Sequence, residues 1–286
     1  MCPIRGTKDF LFRKAIYYFM KSEDIFKELN PEIQQCISFI CLTGSRNYHL
    51  EDSNSDYDFK LLVYPNFIDL YIGANKNSSD AKINGNDIKT TDIRLFQTII
   101  EKSNINFLEV LFSDDIFIPT NSNKELDRYN KNMIEELIIH REEFAAMNIP
   151  RLIKSTKGSV ESRINQFING NYKAASQAFK ELIMLRRYLD NLSHKEKYPF
   201  LNAIKFSYNK DDNMKNLYFG IKYQNITDHG ISELIGIEKF YLNKIIEKGE
   251  FDKKEKDKNA FEKLGIILQN SVAKRIQVEL NDNDKL

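Results

Sequence analysis

Apolar positions along this chain change their rhythm near residue 120: strand-like runs dominate before it, and helical spacing dominates after it. Cys36-Ile37-Ser38-Phe39-Ile40-Cys41-Leu42 is an apolar, β-prone run that predicts a buried strand ending at Thr43-Gly44-Ser45. Asp56-Tyr57-Asp58-Phe59-Lys60-Leu61-Leu62-Val63 predicts a second strand, and residues 85–92 a third, giving a small mixed sheet. Residues 8–29 mix aromatic and charged positions at helical spacing, which predicts an N-terminal helix packed on that sheet. Ile93 to Ile100 also reads as a helix. Phe67 to Tyr71 is a short helix or a loop, and Asn75 to Asp80 a polar turn. The polar stretch Pro119 to Asn123 marks a seam. Beyond it, 124–147 predicts one or two helices ending near Pro150, and 172–189, 233–248 and 259–278 predict further helices. The mixed-sign charge run 250–258 reads as a solvated linker. The expected class is α/β (α+β), with an α/β unit over 1–118 and a helical unit over 119–286.

Composition narrows this picture without redirecting it. A chain of 286 residues with 42% hydrophobic and 29% charged residues can bury a sizeable core, and two compact units are the natural expectation. A net charge of +1 excludes a grossly basic coat for nucleic acid and leaves room for a local basic groove. The three cysteines, Cys2, Cys36 and Cys41, form no Cys-x-x-Cys pattern, and the four histidines show no ligand spacing, so no zinc site is expected. No apolar run approaches the ~18 residues that a membrane span needs, and the start lacks a signal-peptide pattern. The expectation is a soluble cytoplasmic protein with reduced thiols.

Candidate chemistry sits where the first two strands meet their loops. Gly44-Ser45 follows the first strand directly, and Asp56-x-Asp58 opens the second. Alternate residues of a strand share a face, so Asp56 and Asp58 point one way while Tyr57 and Phe59 point the other. Two carboxylates side by side repel each other unless a cation lies between them, and oxygen-only donors favour magnesium or manganese. Glycine lets backbone approach a phosphate closely, and the Ser45 hydroxyl and amide at a helix start are hydrogen-bond donors to it. Alone, Gly-Ser is a turn and Asp-x-Asp a solvated strand end. Their placement between two apolar strands is what joins them into one candidate site.

The stretch Gly44-Ser45-Arg46-Asn47-Tyr48-His49, continuing to Ser55-Asp56-Tyr57-Asp58-Phe59, resembles the signature of the DNA polymerase β nucleotidyltransferase superfamily. More narrowly, it resembles the bacterial and phage branch described as RNA-ligase-associated nucleotidyltransferases. That branch usually has Gly where this chain has His49. The resemblance extends to Asn104-Ile105-Asn106-Phe107-Leu108-Glu109-Val110-Leu111-Phe112, in which Ile105 replaces the usual Pro. It implies a polymerase-β-type core, a helical domain closing over the nucleotide, and a catalytic set of Asp56, Asp58 and a third acid on a later strand. Asp87 matches that position best; Asp92 is the alternative, although it also stands where a helix cap for Ile93 onward is needed. All three acids, Asp56, Asp58 and Asp87, would hold two Mg2+ or Mn2+ ions. By the same resemblance Gly44, Ser45 and Arg46 contact phosphates, and Lys173 and Arg186 on a later helix face the nucleotide.

The implied reaction is transfer of a nucleoside monophosphate from an NTP or dNTP to an acceptor hydroxyl, with release of pyrophosphate. The acceptor stays open between an RNA or DNA 3′ end, a nucleotide or short oligonucleotide, and a protein or small molecule. A module that binds nucleotide or RNA without chemistry is the alternative from another class. The lysines and aromatics interleaved over 200–223 suit base stacking, and equally suit ordinary core packing.

Overall fold

In the computed structural model, the described residues are 20–73, 78–120, 123–207 and 209–283. The first part of the chain builds a five-stranded mixed sheet of order β3-β4-β2-β1-β5. It begins with α1 (Ser22–Glu28) and α2 (Pro31–Cys36), then β1 (Ile37–Thr43), the one-turn α3 (Gly44–Asn47) and β2 (Asp58–Val63). After α4 (Phe67–Tyr71) come β3 (Ser78–Ile83) and β4 (Asn86–Asp92), followed by α5 (Ile93–Glu101), α6 (Ile105–Leu108) and the short β5 (Ile116–Phe117). β1 runs antiparallel to β2 and β5, while β2 and β4 are parallel. The expected N-terminal helix is seen over 22–28, and its residues 8–19 lie outside the described residues.

Residues 78–80, expected in a turn, belong to edge strand β3. That strand pairs antiparallel with β4 through its backbone and leaves its side chains outside the core, so it carries no apolar alternation to read. The turn joining the pair is Asn84-Gly85, both with positive φ (50° and 83°), a conformation glycine and asparagine tolerate and one that tight hairpins require.

Each face of the sheet is covered. On one, Ile25 and Leu29 of α1 pack with Ile37, Ile40, Phe59, Leu61 and Ile88. On the other, Phe39, Cys41 and Leu62 join the large core of the helical part. A register shift between Ile37 and Phe39 explains why these two residues, two apart, serve opposite faces.

The second part of the chain is helical. Its elements are α7 (Lys124–Ile139), α8 (Arg141–Ala146), α9 (Ile149–Ile168), α10 (Tyr172–Ser193), α11 (Pro199–Ile204), α12 (Asp212–Lys222), α13 (Asp228–Gly249) and α14 (Lys258–Asn283). Pro150, expected to close a helix, instead opens α9 from its first turn, where its missing N–H costs nothing; Asn148 caps that turn through Arg151 N–H. α10 is the hub, packed against α9, α11, α12 and α13, with Ala174, Ala175 and Ala178 buried among them. The core runs continuously from the first part of the chain into the second, because α14 lies on both α7 and α5. A buried polar knot strengthens that join: Asn130 Oδ1 accepts from Ser38 Oγ at 2.8 Å and from Tyr64 hydroxyl at 3.0 Å, and Tyr64 also bonds Ser271. Phe251, inside the charged run 250–258, is buried and tethers that run to the core. Among the described residues no helix is long and apolar enough to cross a membrane. Cys36 and Cys41 are free thiols, and burial pushes the Cys41 thiol up to about 12.

Candidate active site

The end of β1, the one-turn α3 and the start of β2 meet at a cleft of about 410 Å³. Gly44, Ser45, Asp56, Asp58 and Asp87 line its sheet side, and Arg163, Lys173, Lys180 and Lys222 line its helical side. A second cleft of about 400 Å³ opens beside the sheet edge and shares Gly44, Asp58 and Asp87 with the first. The carboxylates therefore sit at the junction of two clefts.

Backbone geometry brings the acids together. β2 and β4 are paired in register, Asp58 against Asp87, so their side chains leave the same face of neighbouring strands. Tyr57 and Phe59 turn to the opposite face, where their rings stack at 6.2 Å. Burial lifts the Asp58 carboxyl to about 6, helped by the negative charges of Glu109, Asp87 and Asp56 and opposed by Lys60. Asp56 is exposed, and the half-exposed Asp87 is held by Lys82 at 3.0 Å. Asp92 is outside both clefts. It caps α5 through Arg94 N–H at 2.8 Å and pairs with the Arg94 side chain.

Gly44 is required twice over. Its φ is +72°, and a Cβ there would collide with the Asp58 carboxylate, lying 2.9 Å from Cγ. Its N–H donates to Glu109 Oε2 at 3.0 Å, while Glu109 Oε1 takes Lys60 at 2.7 Å. The Gly44 amide is thus already satisfied by the protein, leaving Ser45 as the donor of this turn that faces the cleft. Glu109, only 3% exposed, is a structural centre of the site that its match to the resembling segment did not by itself assign.

The donor set is oxygen-only, and Asp58, raised first by burial and then by the negative charges around it, belongs to a set that suits a hard divalent cation. Among the described residues no three His, Cys, Asp or Glu side chains stand close enough together to enclose an ion. Asp87 is paired with Lys82 on the edge strand.

Of the remaining expected contacts, Lys173 lines the cleft, whereas Arg46 and Arg186 do not. The Arg46 guanidinium lies 3.7 Å over the Tyr57 ring and donates to Ser55 carbonyl at 2.8 Å, bracing the loop before β2. Arg186 is tied to Glu238 of α13 at 2.6 Å. Helix geometry explains the split: at about 100° per residue, Arg186 lies about 140° round α10 from Lys173, whereas Gln177 and Lys180 share Lys173's face. The spacing 173, 177, 180 was the signal for Lys180. Arg163 was not singled out from the sequence; it is held by Glu181 at 3.0 Å and by Gln177. Of the interleaved stretch 200–223, Phe200 and Phe206 are core, while Tyr218, Lys222 and Tyr223 line the cleft. Lys222 pairs with Asp52 at 2.7 Å and Tyr223 hydroxyl also donates to Asp52. Burial favours protonation of Asp52, but these donors outweigh it and hold the carboxyl well below the usual range.

Sheet, helical cap and acidic cleft together are those of a polymerase-β-like nucleotidyltransferase. Residues 21–164 match the family model described as the RNA repair pathway DNA polymerase beta family, and the chain belongs to that family. No curated protein matches it. Among solved structures, a nucleotidyltransferase-like protein from Exiguobacterium sibiricum 255-15 is similar at 13% identity, covering 86% of this chain and 87% of that one with a TM-score of 0.32.

Proposed function

We propose that this protein transfers a nucleoside monophosphate from an NTP or dNTP to the 3′ hydroxyl of a nucleic acid, releasing pyrophosphate. The observation that carries the reading is the junction at Asp58: clustered carboxylates on one wall of a cleft, and Arg163, Lys173, Lys180 and Lys222 on the other. A triphosphate tail needs the cations; the reacting α-phosphorus needs the acids beside it. The family description, with its RNA repair pathway, favours a nucleic-acid acceptor.

Each residue then has a task. Ser45 donates to the phosphate tail, and the cationic wall offsets its charge. Asp56 and Asp58 would hold divalent cations, joined by Asp87 once it leaves Lys82; when bound, such ions neutralise charge on the entering and leaving oxygens. The acceptor hydroxyl enters from the sheet-edge cleft, and Asp87, shared by both clefts, takes its proton. The new bond joins the acceptor oxygen to the α-phosphorus as the bond to the bridging oxygen breaks.

The test is incubation of the protein with each α-labelled NTP and dNTP, magnesium, and RNA or DNA ends, with products identified by mass. Extension of an end by one or more nucleotides is expected. Products formed without any nucleic acid would assign the acceptor to a free nucleotide, and label on the protein or a small molecule would assign nucleotidylation of that target. No incorporation under any condition would leave a binding module.

A further inference from the structure

One step along the strands from the clustered acids, the charges on the same sheet face reverse. Register pairing sets two rows across β2, β4 and β3: Asp58, Asp87 and Lys82 in the first, Lys60, Lys89 and Asp80 in the second. The side chains follow the backbone, since Lys82 reaches Asp87 at 3.0 Å and Lys89 reaches Asp80 at 3.6 Å. Apart from Lys82, every member of both rows lines the sheet-edge cleft. Lys60 and Lys89 line that cleft and not the other, whereas Arg163, Lys173, Lys180 and Lys222 line the other and not this one. The acids therefore stand between two groups of cations, and the donor's phosphates need only one of them. The two lysines of the second row are not equivalent. Lys60 is held by Glu109 at 2.7 Å and by the Asn106 carbonyl. Lys89 is more exposed, and its pairing is a loose one with a carboxylate that is itself 80% exposed, an arrangement that contributes little to stability.

Resting on the proposed transfer reaction, we infer that Lys89 binds the last internucleotide phosphate of the acceptor strand, the one on the 5′ side of the sugar whose hydroxyl reacts. Lys89 follows Asp87 by two positions on one strand, which sets their side chains about 6.6 Å apart along it. In a nucleic acid the terminal 3′ hydroxyl and that phosphate are separated by one sugar, a span of the same order. With the hydroxyl at Asp87, the phosphate comes to the second row. A phosphodiester carries one negative charge, which matches the one loosely held ammonium there. A protein or small-molecule hydroxyl has no such charge at that distance. Asp80 limits the contact in the free protein, because its carboxylate shares the Lys89 ammonium and repels a phosphate placed beside it. An arriving strand displaces Asp80 into solvent, where its exposed carboxylate already largely lies.

Fluorescence anisotropy of a short 5′-labelled oligonucleotide on the full chain, with magnesium and without NTP, tests this in an RNA and a DNA series. Making the last internucleotide linkage a neutral methylphosphonate should weaken binding to the wild type about fivefold in at least one series, a comparison that needs no variant to fold. Lys89→Met should weaken the natural strand by the same factor, with a salt slope shallower by about one, and should bind the methylphosphonate strand as the wild type does. Asp80→Asn should bind the natural strand more tightly than the wild type. A neutral last linkage without effect in either series, a Lys89→Met loss undiminished on the methylphosphonate strand, or no binding of any strand overturns the assignment. So does an NMP that competes as well as the strand itself, which would place a free nucleotide at the subsite. The two readings fail separately. Nucleotide transfer indifferent to the last linkage and to Lys89→Met removes the subsite alone, whereas linkage-dependent binding through Lys89 without any transfer removes the reaction alone.

Discussion

Asp58 and Asp87 stand opposite one another at the same register position of two parallel strands. Their carboxylates leave the same face, and that face opens into both clefts. The arrangement places like charges together for a reason that stability does not supply. Asp58→Asn should therefore abolish nucleotide incorporation and at the same time raise stability at neutral pH. The gain expected from removing one crowded charge is of order 1 kcal/mol, about 2–4 °C in a chain of this size. Melting curves in metal-free buffer check it; a lower melting temperature would mean that Asp58 is stabilised by neighbours rather than strained by them.

Gly44→Ala meets two obstacles, a positive φ and the Asp58 carboxylate. A cost of about 1–3 kcal/mol follows from the backbone alone. The larger effect falls on function, because the methyl group occupies space that the carboxylate and a phosphate need. Denaturant unfolding and nucleotide binding, measured together, separate the two effects.

Glu109 holds Lys60 and the Gly44 amide from a buried position. Glu109→Ala leaves an ammonium without its partner and is expected to cost roughly 3–5 kcal/mol, whereas Glu109→Gln keeps one acceptor and costs less. Urea unfolding of both variants gives the comparison. Equal losses would show that the charge, and not the hydrogen bonds, matters.

Asp52 couples the loop before β2 to the end of α12 through Lys222 and Tyr223. Its carboxyl is held below the ordinary 3.8, so the folded state binds this proton more weakly than the unfolded chain does. The stabilisation is fully present above pH 3.8 and is lost as pH falls below it. Asp52→Asn should flatten that part of the acid limb of the stability curve, as followed by circular dichroism. An unchanged limb would mean the contact contributes nothing.

Arg186→Ala should lower stability by about 1 kcal/mol through loss of the Glu238 bond, which is charge-assisted and partly buried, while nucleotide affinity stays unchanged. Weaker nucleotide binding with an intact fold would return Arg186 to the phosphate site.

Local chemistry carried much of this protein. The apolar runs gave β1 and β2, and Asp92 read as the cap it is, because each depends on residues adjacent in sequence. The Gly44-Ser45 and Asp56-x-Asp58 spacing located the cleft for the same reason: a strand end and a strand start must meet when the strands pair. What only the tertiary structure decided depends on elements far apart in the chain. β3 was hidden because an edge strand is specified by backbone pairing rather than by apolar side chains. Arg163 and Lys180 replaced Arg186 on the cleft wall because the rotation of α9 and α10 is set by the helices packed around them. Glu109, within a matched segment, gained its meaning only when folding set it beneath Gly44 and Lys60, since burial and charge pairing are properties of the assembled core and not of a motif.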